Sequence, residues 1–187
     1  MTDFKLIDDI RLVLFDVDGV MTDGTIFMSE QGEVLKAFNV KDGLAIELLR
    51  SHGILTGVIS GKKSAALSNR CVQLGFDIVI TGCKNKLPQL TQICQDYQLT
   101  FKDIAFCGDD VLDLPIMVKC GLGIAPRDAH ELVLLSADWV MSKKGGEGMV
   151  REFVDTLLCK QLNLQLCDVY AQLMTDIGSN NVDGIQQ

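Results

Sequence analysis

No stretch of this sequence approaches the ~20 consecutive apolar residues that a membrane-crossing helix needs. The first residues, Met1 to Asp9, are polar and acidic and lack the basic flank and apolar run of a secretory signal. Positive charge is scarce: 17 Lys and Arg stand against 25 Asp and Glu, a formal net charge of −8. This argues against nucleic acid or a membrane surface as the main partner, because both select basic patches. An anionic small molecule stays open, since a few lysines and a divalent cation can make one pocket locally positive. The two histidines, His52 and His130, have no partner at ligand spacing and are read as partly exposed, with no site role. The seven cysteines form no Cys-x-x-Cys pair, so they are read as buried free thiols of a reducing compartment. Together these absences place the chain in the cytoplasm. There is no internal repeat, no low-complexity tract and no Walker-type glycine loop.

What is there is a core. With 48% hydrophobic content, 187 residues suffice for one domain and leave little room for a second. Residues 1–175 read as that domain, and the polar 176–187 as a disordered tail. Leu12 to Val17 is an apolar run ending in an acid, as a central parallel strand covered on both faces would be. Leu55 to Ile59, Ile78 to Ile80, Ile104 to Cys107 and Leu122 to Ile124 are similar. Helical periodicity lies between them, over Gly43 to Ser51, Ser64 to Leu74, Leu87 to Tyr97 and Leu112 to Lys119. Alternation at this spacing means right-handed crossovers and an α/β fold with a doubly wound parallel sheet. One segment breaks the rhythm. Thr25 to Ser29 and Val34 to Phe38 flank Glu30-Gln31-Gly32-Glu33, the signal of a projecting β-hairpin. What remains before the next strand makes one helix, so no inserted cap domain fits. Near the end, Gly145 to Gly148 reads either as a flexible linker or as a segment that closes the site. Helical patterns follow over Met149 to Leu158 and Leu162 to Met174.

In open α/β sheets ligands bind beyond the carboxyl ends of the strands, so the residues after each strand matter most. They are Asp16-Val17-Asp18-Gly19, then Ser60-Gly61-Lys62, then Lys86, then Gly108-Asp109-Asp110 with Asp113 a turn later. Acids, a hydroxyl and an amine thus converge on one rim, a set suited to phosphoryl transfer. Asp16 and Asp109, with the backbone carbonyl of Asp18, can offer hard oxygen ligands to Mg²⁺. Asp16 can attack phosphorus and form an aspartyl-phosphate. Asp18, on the same side of an extended chain, can protonate the leaving oxygen and then deprotonate the attacking water. Ser60 can hydrogen-bond a phosphoryl oxygen, and Lys86 can hold the nucleophile and screen transition-state charge. Taken singly, each piece has an ordinary explanation: Asp-x-Asp-Gly as turn chemistry, Ser60 as a helix cap, Lys86 as a solvated surface lysine. Their occurrence in order, each after an expected strand, is what carries the reading.

That order resembles the four signature motifs of the haloacid-dehalogenase phosphatases. The stretches DVDGVMTDG, LKAFNVKDG, GKKSAALSNRC, NKLPQL, GDDVLDLPIM and GGEGMVRE resemble most the branch of the 3-deoxy-D-manno-octulosonate 8-phosphate phosphatases. The likeness covers about residues 10–160. It implies a capless fold whose hairpin assembles a homotetramer, with a neighbouring subunit helping to close the site. It also implies that Asn39, Val40, Lys41, Asp42 and Gly43 line the substrate pocket, with Lys62, Arg70 and Lys86 toward anionic groups. Asp110 and Asp113 would stand behind the metal ligands or on metal-bound water. The chain departs from the family in having Ser60-Gly61-Lys62 where Thr-Gly-Arg is usual, and Glu47 where an arginine can occur. Serine keeps the hydroxyl; lysine keeps the charge without the bidentate fork.

The expected activity is hydrolysis of 3-deoxy-D-manno-octulosonate 8-phosphate in lipopolysaccharide biosynthesis. The alternatives are a phosphatase for another nonulosonate or small sugar phosphate, and a receiver-like phosphoacceptor without turnover. A receiver has no need of an acid two residues after its phosphorylated aspartate, so Asp18 favours turnover.

Overall fold

Burial on both faces makes Leu12–Phe15 (β1) the strand around which the rest is arranged. The computed structural model describes residues 9–30 and 32–178. After β1 come a hairpin, Phe27–Ser29 (β2) and Gly32–Leu35 (β3), and the helix Val40–Ser51 (α1). Strands and helices then alternate: Leu55–Ile59 (β4), Ala65–Leu74 (α2), Ile78–Ile80 (β5), Leu87–Tyr97 (α3), Ile104–Cys107 (β6) and Leu114–Met117 (α4). Leu122–Ala125 (β7), Glu131–Ser136 (α5), Trp139–Val140 (β8), Met149–Leu162 (α6) and Leu166–Gly178 (α7) complete the order.

The main sheet is parallel throughout, in the order β5-β4-β1-β6-β7-β8. The chain winds outward through β4 and β5, then returns to β6 and winds the other way. The reversal lies beside β1, and its carboxyl end is where such sheets bind ligands. Alternation along β1 divides the core: Val13 and Phe15 join the cluster under α1, α2, α6 and α7, while Leu12 and Leu14 face α3, α4 and α5. Each fully buried side chain of this size contributes roughly 1.5–3 kcal/mol.

Expected and observed elements agree in kind and differ at edges. The helix expected from Gly43 starts at Val40, because the Asn39 side chain accepts the Lys41 N–H at 2.9 Å and caps it. The helix expected over Leu112 to Lys119 is a tight 3₁₀ turn, Val111–Asp113, followed by the short α4. Asp110 takes the Val111 N–H at 2.7 Å, and Asp113 takes that of Asp109 at 3.0 Å, so side chains set the turn. The hairpin is shorter than expected, stands apart from the main sheet and shifts register between Phe27 and Met28. Helix α7 continues through Gly178, so Asp176, Ile177 and Gly178 are helical rather than part of a tail. The rest of the expected tail, 179–187, and residues 1–8 of the N-terminal stretch lie outside the described residues. Among the cysteines, Cys71, Cys107 and Cys120 are buried, but Cys167 is exposed, contrary to expectation. His52 Nε2 lies 2.8 Å from the Val169 carbonyl and ties α1 to α7. His130 is exposed and caps α5. Among the described residues, no helix is long and apolar enough to cross a membrane.

Candidate active site

Asp16 leaves the end of β1 with its backbone N–H held by the Cys107 carbonyl at 2.8 Å, which fixes it beside the end of β6. The chain then turns sharply, the N–H groups of Val20, Met21 and Thr22 all pointing to the Val17 carbonyl. Gly19 occupies this turn at φ +96°, and a Cβ there would fall 2.1 Å from Asp109 Oδ2. A side chain is therefore excluded twice, by backbone conformation and by the carboxylate lying against it. The turn is braced from far along the chain. A Cβ on Gly145 would fall 1.8 Å from the Gly19 carbonyl oxygen, the Gly146 N–H donates to Val20 O at 3.0 Å, and Asn39 Nδ2 donates to Gly146 O at 3.0 Å. The glycine stretch is thus a packed brace and not a loose linker.

Lys86 reaches inward from the start of α3 and is 5% exposed. Its Nζ lies 2.7 Å from Asp16 Oδ1 and 2.6 Å from Asp113 Oδ1. Burial alone would lower its pKa, but the charges of Asp16 and Asp113 hold the ammonium above its ordinary value. The carboxylate pKa values rise as well, here with burial as the main cause. Burial raises Asp16 to about 6 against the pull of Lys86. Burial, reinforced by the charges of Asp16, Asp113 and Asp110, raises Asp109 to about 8. Asp16, Asp109 and Asp113 each bring a carboxylate oxygen within 4.8 Å of the others. The buried Oδ1 of Asp109 has no hydrogen-bond partner. A cluster of hard oxygens with one orphaned and two resisting ionisation fits a divalent cation such as Mg²⁺.

A cavity of about 260 Å³ opens over the cluster, lined by Asp16, Asp18, Lys86, Asp109 and Asp113, with Lys62 and Lys84 adding positive charge. Ser60, at the end of β4, is buried, and its Oγ accepts the Lys62 N–H at 3.2 Å. The expected substrate residues divide. Lys62 lines the cavity; Asn39, Val40, Lys41, Asp42, Gly43 and Arg70 do not. Asn39 caps α1, and the exposed Lys41 accepts Arg151 Nη1 on its carbonyl at 3.3 Å. Asp42 is buried, its pKa raised by burial, and its Oδ1 accepts the Arg151 N–H at 2.9 Å. Gly43 makes room for Arg70, since a Cβ there would meet Arg70 Nη2 at 2.6 Å. Burial lowers the Arg70 pKa; its guanidinium lies 5.9 Å from the Phe38 ring centroid, and its buried Nε has no hydrogen-bond partner. Val40 is exposed.

Two residues escaped sequence reasoning. Lys36, just past β3, has a side chain only 1% exposed; its Nζ pairs with Asp18 Oδ1 and lies 3.3 Å from Glu33 Oε2. The available signal was a lone cation inside the apolar run Val34 to Phe38. Lys84 was hidden beside Lys86.

A family model described as haloacid dehalogenase-like hydrolase matches residues 75–153. The 3-deoxy-D-manno-octulosonate 8-phosphate phosphatase of Escherichia coli K12 is 41% identical over 154 residues, 82% of each chain. Among solved structures, the cobalt-bound deoxy-D-mannose-octulosonate 8-phosphate phosphatase of Haemophilus influenzae matches with TM-score 0.80 and 37% identity, over 82% of this chain and 90% of that one. The Moraxella catarrhalis 3-deoxy-D-manno-octulosonate 8-phosphate phosphatase, in complex with magnesium, phosphate and KDO, matches with TM-score 0.79 and 34% identity, over 82% of this chain and 88% of that one.

Proposed function

This chain belongs to the haloacid dehalogenase-like hydrolases, in the family of the 3-deoxy-D-manno-octulosonate 8-phosphate phosphatases, and from that premise we propose that it hydrolyses that ester to the free sugar acid and phosphate. The observation that carries the reading is the buried cluster in which Lys86 bridges Asp16 and Asp113 beside the unpartnered Oδ1 of Asp109. Asp16 attacks phosphorus while the bond to the sugar oxygen breaks, leaving an aspartyl-phosphate. Asp18 gives its proton to the departing oxygen, then takes one from the water that releases phosphate. Lys86 keeps the Asp16 carboxylate in place and Ser60 bonds a phosphoryl oxygen. Asp16, Asp109 and the Asp18 carbonyl would hold Mg²⁺, which supplies charge neutralisation at the phosphoryl group. Asp113 keeps Lys86 and the Asp109 backbone in register from behind.

Lys62 and Lys84 suit a sugar that carries a carboxylate of its own. Asn39 to Gly43 and Arg70 do not line this chain's cavity, so the remaining substrate contacts come from a neighbouring subunit. The hairpin supports a homotetramer: Phe27, Met28, Val34 and Leu35 are all about half exposed or more, on a ribbon too small to stand alone. A cytoplasmic place in lipopolysaccharide biosynthesis is supported by the thiols and by the relatives' substrate.

A panel of purified phosphate esters tests the reading. The octulosonate ester should exceed neutral hexose and pentose phosphates in kcat/KM by at least ~10-fold, because one lost charge contact costs ~1.5–3 kcal/mol. A neutral ester that wins, or a nine-carbon sugar acid phosphate that is clearly better, overturns the substrate. Phosphorylation of the protein without release of phosphate would point instead to a phosphoacceptor.

A further inference from the structure

We propose that Lys36, delivered by the hairpin stem, is a positioning residue that holds one oxygen of the Asp18 carboxyl group so that the other, carrying the proton, faces the leaving oxygen. The proposal rests on the acid/base role of Asp18 above and concerns how that role is secured. Asp18 lies in the sharp turn after β1 and keeps 20% of its side chain exposed, facing an open cavity. A short carboxylate at such a rim has several rotamers, and only some direct an oxygen at the leaving group. Among the described residues, its ion-pair partner is Lys36 Nζ, on Oδ1.

Lys36 is itself held. Its side chain is 1% exposed, so it cannot swing into solvent as a surface lysine does. Glu33, three residues back, accepts from the same ammonium through Oε2 at 3.3 Å. The series Glu33, Lys36, Asp18 runs from the hairpin to the reacting carboxyl, in a part of the chain that contributes nothing else to the cavity lining. A stable hairpin does not need this arrangement, because burying a lysine costs free energy unless its charge is matched. The ammonium matches one oxygen of Asp18 and leaves the other free to work on the substrate. The ribbon whose apolar side chains are left exposed is thereby the same ribbon that orients the catalytic acid.

The test uses leaving groups. A p-nitrophenyl ester departs with little help from an acid, whereas an alkyl ester such as a sugar phosphate needs its oxygen protonated. Lys36→Met keeps length and removes charge; Lys36→Ala leaves room for an added primary amine. For both variants, kcat/KM, which reports formation of the aspartyl-phosphate and not the water step that both esters share, should fall about tenfold or more further on the sugar phosphate than on the aryl ester, with KM moving much less than kcat. Added ethylamine or propylamine should restore part of the Lys36→Ala loss on the sugar phosphate. In an Asp18→Asn background, Lys36→Met should add almost nothing, since it acts through the missing carboxyl. Equal losses on both esters, a change confined to KM, or full additivity with Asp18→Asn would overturn the proposal. If Asp18→Asn itself shows no leaving-group discrimination, the acid/base reading of Asp18 fails, a result distinct from failure of Lys36 alone.

Discussion

Replacing Gly19 by alanine separates two consequences of one contact. At φ +96° a residue with a Cβ is strained by roughly 1–3 kcal/mol, and in a chain of this size each kcal/mol lowers Tm by roughly 2–4 °C. The new methyl would also lie 2.1 Å from Asp109 Oδ2, well inside contact distance, so the carboxylate must move. If Asp109 is a metal ligand, losing its charged contact costs ~1.5–3 kcal/mol, roughly 10- to 150-fold in Mg²⁺ affinity. Gly53 supplies the control: it has φ +72°, and a Cβ there would meet nothing within 4 Å. Thermal denaturation during a Mg²⁺ titration reads both quantities together. Gly53→Ala should lower Tm with no change in the Mg²⁺ dependence, whereas Gly19→Ala should lower Tm and shift the midpoint to higher Mg²⁺. A Gly19→Ala protein whose Mg²⁺ midpoint stays within about threefold of the parent would refute the assignment of Asp109 to the metal.

Asp16→Asn should leave a folded protein with almost no turnover on any ester, since the amide is no nucleophile; near-parental rates on even an activated aryl phosphate would remove the aspartyl-phosphate path. Phe27→Glu combined with Met28→Glu places two charges on side chains 43% and 67% exposed in the single chain. Light scattering should give a tetramer for the parent and smaller species for the variant, with activity falling alongside, and a parental protein that is monomeric at micromolar concentration would sink the assembly reading.

The central strands were legible because double burial leaves β1, β4 and β6 nearly continuous apolar runs, a pattern that survives without any partner. The acidic cluster was legible for a related reason: a strand end is a fixed point, so Asp16 and Asp109 can be placed from sequence alone. Very short elements were not. The strand Trp139–Val140 and the helix Glu131–Ser136 are too short for a period to register. Within the helix expected over Leu112 to Lys119, Leu114–Met117 is helical, but Leu112 and Asp113 belong to a tighter turn, because the carboxylates of Asp110 and Asp113 bind backbone N–H groups there. Lys36 was missed because its partner, Asp18, is distant in sequence and reached only once the hairpin folds back. Conversely, Asn39 to Gly43 looked like pocket residues by resemblance, whereas within one chain Asn39, Asp42 and Gly43 serve α1 and its contacts with Gly146, Arg151 and Arg70.

The glycine brace at Gly145 and Gly146 bears on the order in which a working protein comes into being. Synthesis runs from the amino end, so Asp16, Asp18, Lys86, Asp109 and Asp113 have all been made before the brace leaves the ribosome. A nascent chain halted short of Gly145 carries every carboxylate of the cluster and the amine that binds them, yet lacks the contacts that brace the turn at Gly19 from outside. Such a fragment holds its acids without the scaffold that keeps them aligned. The support of the turn is therefore completed late, with the last quarter of the polypeptide, and a chain three-quarters made holds the side chains of the cluster without it.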